Sequence, residues 1–600
     1  MTRSIVSQAH DFYDAVPYEV PVPDTSLYEL LDTAARLYPD RVALDYFGAT
    51  TTYAQVRDQV LRAARVLHEA GVRAGDTVAI SLPNCPQAFV AFYACMRIGA
   101  VAAQHNPLAP AAEIAGQLER HGGQVAIVWE KCVESFPLDR LNTVFTVDIS
   151  HGMPASQRFL LSLPVPRARQ MRAQLRGPAP KGAISWDRAT ASSSPIDADH
   201  PLPSPGDRAV ILHTSGTNGV PKSAPLTHRN IGVNVNQCMF WVWKLHEGAE
   251  TFFSLLPYFH AFGLTFFLCA SVRKAATQVL LPKFDAQMAL EAHKRRPVTF
   301  FVGVPPMFER ILARAKETGT DLSSIRYSVA GAMPLSTALA DDWEATTGGL
   351  IVEGYGLSET APVLTGAPLS AKRRHGVLGV PFPSTQLRLV SLEDDTLDVE
   401  DGQPGEIIVR GPQVFDGYLN APEETARGFT SEGWFKTGDL ASIDDRGHLR
   451  ITGRKKELIV TAGGKNVSPE ILEESLSTHP LIANIIVVGD NRPYIGALIA
   501  LDTEMLPEWL STHGLPVVDA AQAANLPEVR DSLEKAIARA NKAVSRAESI
   551  RRYRIVNAAF TVENGYMTPS LKLKRRRVLA DYACEVDALY ASGEAAKSQE

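Results

Sequence analysis

"HTSGTNGVPKS" (213–223) comes within one residue of a phosphate-wrapping loop, and its reading decides the fold. The wrapping pattern is glycine, four residues, glycine, lysine, then serine or threonine. Here Gly216 is followed by Thr217, Asn218, Gly219 and Val220, and Lys222-Ser223 closes the run, but Pro221 stands where the second glycine belongs. Proline holds φ at about −65° and has no N–H to give. That disfavours a loop wrapped around phosphate by successive backbone N–H groups. What remains is polar and glycine-punctuated: Thr214, Ser215, Thr217 and Asn218 bring hydroxyl and amide groups, and Lys222 brings a cation. Such a loop suits lying over phosphates rather than around them, and its other reading, taken alone, is a surface turn.

Outward from the loop, "RAVILHTSGT" reads as a strand that ends in it, and "FFSLLPYFH", "VTFFVGVPPMF" and "IRYSVAGAMP" are further apolar runs that stop at Gly, Pro or His. Residues 27–124 alternate helix and strand, as in "LYELLDTAARLYPDRVALDY" and "DTVAISLPNCPQAFVAFYACMRIGAVAA". Alternation of this kind predicts a parallel sheet with helices on its faces, and such sheets bind ligands at the carboxyl ends of their strands. From about residue 376 the texture changes to short strands and turns, with "DDRG" reading as a hairpin and the acidic, glycine-containing region 390–405 as a surface loop. A boundary near Gly453 divides a large domain, 1–452, from a smaller α+β domain, 453–600, which includes the helical "SLEKAIARANKAVSRAES". No internal repeat is found.

The chain of 600 residues is too long for one core, and 45% hydrophobic with 21% charged residues describes a globular protein. A net charge of −6 supplies no basic field and argues against nucleic acid as a partner. Six scattered cysteines without a C-x-x-C pair fit reduced thiols and no cysteine zinc site. The start lacks the apolar core of a signal peptide and no apolar run is long enough to span a bilayer, so a cytoplasmic protein is expected. One segment, 151–181, suggests peripheral membrane contact: six cations (Arg158, Arg167, Arg169, Arg172, Arg176 and Lys181) and no acid lie between Asp148 and Asp187, beside Phe159, Leu160, Leu161 and Leu163.

Four further stretches join the loop. "EGYGLSET" (353–360) packs glycines, Tyr355 and Glu359 into a turn; "WFKTGDL" is expected to place Asp439 at the start of a strand; "GRKKELIVTAGGKNVSPEILE" runs cations into a Gly-Gly turn; "TPSLKLKRRR" sets lysines beside a proline. Each alone has an ordinary reading as a helix-start carboxylate, a turn or a solvated face. In this order, over about 27–580, they resemble the adenylate-forming enzymes, and most closely the long-chain fatty acyl-CoA synthetases, through "TSGTNGVPKS", "LPYFHAFGLT", "VEGYGLSET" and "GRKKELIVTAGGKNVSP". In that family proline before the lysine is normal, so Pro221 belongs to a more flexible phosphate loop. The chain departs from the pattern at Asn218, at Ser223 with Pro225 following, and at Leu571, which leaves Lys574 as a competitor for Lys572.

The resemblance implies an α/β large domain of αβαβα-type subdomains with a small β-barrel-like subdomain, and a small mobile α+β domain. It also implies a two-step reaction: a carboxylate and ATP give acyl-AMP and pyrophosphate, then CoA takes the acyl group. Thr214, Ser215, Gly216, Thr217, Asn218, Gly219 and Lys222 would cover the β- and γ-phosphates, and Thr214 with Glu359 would hold Mg²⁺. Gly331, Ala332, Tyr355, Gly356 and Thr360 would surround the adenine side of the nucleotide, Asp439 would accept both ribose hydroxyls, and Arg454 would add a cation. Lys572 would bridge carboxylate and α-phosphate, Lys456 would be the hinge about which the small domain turns, and Gly463, Gly464 and Lys465 would line the CoA path. His260, Phe262, Val302, Gly303 and Val304 would line the acyl pocket, with His260 separating it from the CoA tunnel. The readings left open are a fatty acyl-AMP ligase, a carrier-loading adenylation enzyme and a non-catalytic binding protein. An amino-acid substrate is disfavoured because "LPYFHAFGLT" has no acid to pair an ammonium. A homodimer is compatible with this reading, which fixes no oligomeric state.

Overall fold

Strands form where β-branched and aromatic residues run four or more together, and the expected parallel sheet resolves into two. The computed structural model describes residues 16–214, 222–370, 372–463, 465–556, 559–561, 564–567 and 573–594, with side chains to 591. The chain divides into two units: Met1–Arg388 with Ile408–Thr437 and Asp445–Leu449, and Leu389–Ile407 with Gly438–Asp444 and Arg450–Glu600.

In the first unit a seven-stranded sheet has the order Ile184–Ser185, Thr143–Val147, Val125–Trp129, Thr77–Ser81, Val101–Gln104, Arg208–Thr214, Lys222–Thr227. Its strands are parallel except the last pair, an antiparallel hairpin that sets His213 opposite Ser223 and Thr214 opposite Lys222. A nine-stranded sheet has the order Val380–Pro381, Val363–Gly366, Leu350–Gly356, Tyr327–Gly331, Phe300–Gly303, Thr251–Ser254, Thr277–Leu280, Val42–Tyr46, Ala49–Thr52. It is parallel through its middle and antiparallel at both margins.

The helix Pro86–Ile98 starts on proline, ends on the left-handed Gly99 (φ 69°), and buries every residue from Gln87 on. A helix apolar all round belongs inside. Just before it, Asn84 Nδ2 donates to the carbonyls of Ser254 and Leu256, and within it the Tyr93 hydroxyl donates to the carbonyl of Leu268, so its contacts join the two sheets. Beyond the strand Thr251–Ser254, "LPYFHAFG" leads into a π-helix, Leu264–Ala270, with every residue buried. Gly263 makes that entry possible: a Cβ there would sit 2.1 Å from the Pro257 carbonyl oxygen.

The second unit contains the expected α+β fold. Its sheet orders Ile482–Val488, Ile495–Leu501, Ile550–Val556, the first pair antiparallel and the second parallel. One face packs Leu472, Leu476, Leu533 and Ile537 against Ile485 and Ile499; the other packs Phe560, Val578 and Tyr590 against Ile486 and Leu498. Around "DDRG" the strands Phe435–Ile443 and Leu449–Arg454 are sheet neighbours, as expected of a hairpin. The helix expected through residue 549 is instead Pro527–Ala540. Asn541 stops it, because its side chain donates to the carbonyl of Ile550 at 3.0 Å and accepts from the Ile550 N–H at 2.9 Å, binding the chain to the next strand. Among the described residues no helix is long and apolar enough to cross a membrane.

Candidate active site

The hairpin that carries the glycine-punctuated loop is anchored from both sides. Thr214 ends one strand and Lys222 opens the next, directly opposite each other. Ser215, Gly216, Thr217, Asn218, Gly219 and Pro221, which join them, lie outside the described residues, as do Gly464, Leu571 and Lys572. Lys222 Nζ stands 4.2 Å above the ring of Tyr418, whose hydroxyl donates to Glu359 Oε1 at 2.8 Å. Burial and the Glu359 carboxylate push the Tyr418 phenol up, so it stays a donor. Glu359 is 8% exposed in the short helix Ser358–Thr360, which packs on the strand Lys222–Thr227. A carboxylate and a threonine hydroxyl are hard oxygen donors of the kind Mg²⁺ takes.

The "EGYGLSET" turn is supported by residues that its motif does not announce. The strand Leu350–Gly356 runs through "EGYG", longer than the sequence suggests. Glu353 turns inward: Oε1 accepts the Leu335 N–H at 3.0 Å and Oε2 the N–H groups of Gly376 and Val377 at 2.7 and 3.2 Å. Gly356 has no room for a side chain, since a Cβ would lie 1.8 Å from the Pro362 carbonyl oxygen. Thr360 is fully buried and gives its hydroxyl to the carbonyls of Pro362 and Leu357, at 2.6 and 3.1 Å, which makes it a brace of the turn.

Parallel register brings the remaining first-unit candidates to one strand edge. Gly331 lies opposite Gly354, one residue before Tyr355, and Val302 and Gly303 lie opposite Val329 and Ala330. Ala332 takes a left-handed φ of 65°, uncommon for a residue with a Cβ and often found at functional turns. The Phe262 ring is so close to Gly331 that a Cβ there would sit 3.0 Å from it. His260 caps the Ala261–Gly263 turn, its Nδ1 accepting from Phe262 N–H. Val302 and Val304 are buried, so the apolar candidates and the Gly331-Ala332 turn are neighbours.

In the second unit Asp439 lies mid-strand in Phe435–Ile443, 2% exposed, rather than at the strand start. The strand begins earlier because Trp434 and Phe435 already bury there. Arg454 closes the next strand with Nε 3.0 Å from Asp439 Oδ1, so two candidates meet. Lys456 is exposed in the following turn. The strands Ile459–Val460 and Asn466–Val467 pair as a hairpin whose tip holds Gly463 and Lys465; Gly463 is open, with nothing nearer than 3.9 Å to a Cβ position. Lys465 Nζ approaches Glu548 at 3.9 Å. Lys574 is exposed just before the helix Arg575–Asp581. Tyr418 and Glu353 were missed by sequence reasoning; "DGYLN" around Tyr418 carries no spacing that ties it to Glu359.

Two family models cover most of the chain: an AMP-binding enzyme model matches residues 31–419 and an AMP-binding enzyme C-terminal domain model matches 456–594. A long-chain-fatty-acid–CoA ligase of Bacillus subtilis is 32% identical over 500 residues, 82% of this chain and 87% of its own. An anthranilate CoA ligase solved with anthranoyl-AMP superposes with TM-score 0.75 at 20% identity, covering 94% of this chain and 98% of that one. MatB from Rhodopseudomonas palustris, solved with ATP bound, superposes with TM-score 0.70 at 25% identity over 93% and 99%. The chain belongs to the AMP-binding enzymes, and within that family to the adenylate-forming acid–CoA ligases.

One neighbour of the Asp439–Arg454 pair gives this region a pH dependence. Burial, helped by Glu457, Asp439 and Glu473 and opposed by Arg454, pushes the Glu470 carboxyl up to about 7. Its Oε2 is buried without a hydrogen-bond partner among the described residues. The unfolded group ionises near 4.5, so between that pH and about 7 the unfolded chain releases its proton first. Stability then falls by roughly 3 kcal/mol over that window as pH rises. Glu470→Gln is expected to remove this slope, matching the wild type at about pH 4 and exceeding it at about pH 8 in chemical denaturation.

Proposed function

We propose that the chain activates a long-chain fatty acid with ATP, releasing pyrophosphate and leaving acyl-AMP, and then transfers the acyl group to CoA with release of AMP. The observation that carries this reading is the Lys222–Tyr418–Glu359 chain beside the Thr214–Lys222 hairpin, where one tyrosine holds a cation on its ring face and a carboxylate on its hydroxyl. The fatty-acid assignment draws on the Bacillus subtilis relative and on the apolar, acid-free run from Phe262 to Ala270.

Adenylation brings two anions together, so positioning and cationic stabilisation dominate its chemistry. Thr214 and Lys222, with Ser215, Gly216, Thr217, Asn218 and Gly219, cover the outer phosphates. Thr214 and Glu359 hold Mg²⁺, which when bound neutralises phosphate charge. Gly331, Ala332, Tyr355 and Gly356 flank the adenine, with Thr360 bracing their turn. Asp439 accepts the ribose hydroxyls while Arg454 steadies its carboxylate and adds positive charge. His260, Phe262 and Val302 to Val304 bound the acyl chain. Lys572 meets the reacting carboxylate and α-phosphate, Lys456 is the hinge, and Gly463, Gly464 and Lys465 line the CoA path.

A panel of fatty acids from short to long, assayed for CoA-dependent AMP release, should show activity rising toward long chains. AMP release that ignores CoA would assign the chain to the acyl-AMP ligases instead. Lys572→Ala should lower fatty-acid-dependent ATP–pyrophosphate exchange by roughly 10²–10³ while sparing thioester formation from supplied acyl-AMP. A larger loss in Lys574→Ala would move that role to Lys574.

The segment 151–181 fits a way of reaching such a substrate. Its helices are Ala155–Ser162 and Pro166–Leu175. Only Leu161 of its leading apolar run is buried, whereas Phe159 is 66% and Leu160 58% exposed, with Val165 and Met171 also exposed. Arg172 donates to the carbonyls of Leu161 and Leu163, Arg169 to that of Pro164, and Arg176 pairs with Asp148 at 3.3 Å, so these arginines fold the segment. Arg158 and Arg167 have no side-chain partner among the described residues and are exposed. Cations beside exposed apolar side chains suit an anionic bilayer surface. Sedimentation with liposomes should require anionic lipid and weaken in Arg158→Gln/Arg167→Gln and in Phe159→Ser/Leu160→Ser. Binding indifferent to lipid charge overturns the assignment.

A further inference from the structure

Three histidines without a role in the nucleotide site converge at the hairpin, one of them, His213, heading its loop stretch. His105 follows the strand Val101–Gln104, His213 is the penultimate residue of the neighbouring strand Arg208–Thr214, and Gln104 pairs in register with Leu212. His121 is the last residue of the helix Ala111–His121. One ring nitrogen from each lies within 4.8 Å of the others. His105 Nε2 and His121 Nε2 are 3.0 Å apart, and the His105 and His213 rings are 4.7 Å apart between centroids.

The surrounding hydrogen bonds decide where the protons sit. Gln117 Nε2 donates to Glu113 Oε1 at 3.1 Å, which turns Gln117 Oε1 toward His105 Nδ1 at 2.7 Å. A carbonyl oxygen only accepts, so His105 carries its proton on Nδ1 and a lone pair on Nε2. His213 Nδ1 meets Ser223 Oγ at 3.0 Å, and its Nε2 is buried with no partner among the described residues. His121 Nδ1 accepts the Gly123 N–H at 3.0 Å, so its proton is on Nε2 and points to His105 Nε2. Two of the rings thus have the outer partner on Nδ1 that metal-bound imidazoles have, with Nε2 left to coordinate.

We propose that His105, His121 and His213 bind one divalent transition-metal ion, of which Zn²⁺ is the type, with the fourth coordination position left to water. Three neutral imidazoles with an open position suit a borderline-soft ion and not Mg²⁺, which wants oxygen. Coordination requires one rearrangement: the His121 proton moves from Nε2 to Nδ1, and the Gly123 N–H gives up that acceptor. A metal about 2.0–2.1 Å from each nitrogen draws the rings closer than they now lie, and His213 Nε2 has no existing bond to resist this. The site is distinct from the Thr214–Glu359 oxygen pair, yet His213 immediately precedes Thr214. An ion held there would fix the strand end from which the loop departs.

The test uses full-length protein dialysed against a chelator, then titrated with Zn²⁺ by calorimetry and with Co²⁺ by visible absorption. Expected are one ion per chain and the intense Co²⁺ bands of a four-coordinate nitrogen site. His121→Asn, on the most accessible ligand, should weaken binding by roughly 100-fold, and metal should raise the melting temperature of the wild type but not of this variant. His213→Phe should behave likewise, and His200→Gln, which removes the partner of the separate His68–His200 ring pair, should leave binding unchanged. If His121→Asn and His213→Phe remain folded by circular dichroism and bind as the wild type does, the proposal fails. It also fails if Co²⁺ gives only the weak spectrum of a six-coordinate oxygen site.

Discussion

One tyrosine, Tyr418, ties together Glu359 and Lys222, the carboxylate and the cation that flank the phosphate hairpin. Its hydroxyl satisfies the carboxylate while its face accommodates the ammonium. The arrangement costs little, because a charge-assisted hydrogen bond and a cation–π contact each offset desolvation. Its effect is to seat the cation on the ring face beside the hairpin. The Ser358–Thr360 turn, the Lys222–Thr227 strand and the segment around Tyr418 are assembled about this contact, with the Leu419 N–H bonded to the Ser223 carbonyl and the Phe415 N–H to that of Glu359. Loss of any one of the three side chains would leave the other two mismatched.

How much of this was legible in the sequence follows from range. The strand ends at Thr214 and Gly331 are local events, written as apolar runs stopped by glycine, and they were read correctly. The hairpin was not, because nothing in the sequence marks Lys222–Thr227 as the antiparallel partner of Arg208–Thr214. Tyr418 was not, since 59 residues separate it from Glu359 and only the folded chain joins them. Glu353 looked like part of a ligand motif but spends both oxygens on backbone N–H groups of two distant segments. The helix end at Ala540 was missed for a similar reason: Asn541 is a tolerable helix residue until Ile550 arrives to satisfy both ends of its amide. The three histidines are scattered through the sequence at 105, 121 and 213 with no metal-ligand spacing, and only the folded chain, through the pairing of two strands and the end of a helix, assembles them.

Thr360 and Arg454 refine what a motif match conveys. Both occupy positions that the resemblance assigns to nucleotide contact, yet each already has a structural occupation: Thr360 inside its turn, Arg454 against Asp439. A residue can therefore serve ligand binding by fixing the shape or charge of its neighbour. For Arg454 the two roles coincide, because a guanidinium hydrogen-bonded to the Asp439 carboxylate holds its direction while adding positive charge.

The π-helical stretch Leu264–Ala270 carries this idea into residue counting. A π turn accommodates one residue more than an α turn over a similar length of axis, so it amounts to an insertion stored inside a helix. Deleting one residue there would restore the α repeat and swing each side chain on one side of the cut by about 100° relative to the other. Phe262 lies before the stretch and Phe266 within it, their rings 5.3 Å apart edge to face. The surface these aromatic groups present is thus fixed by the number of residues between them as much as by their identity. In relatives, a change of length in this stretch would reshape that wall without altering a single aromatic residue.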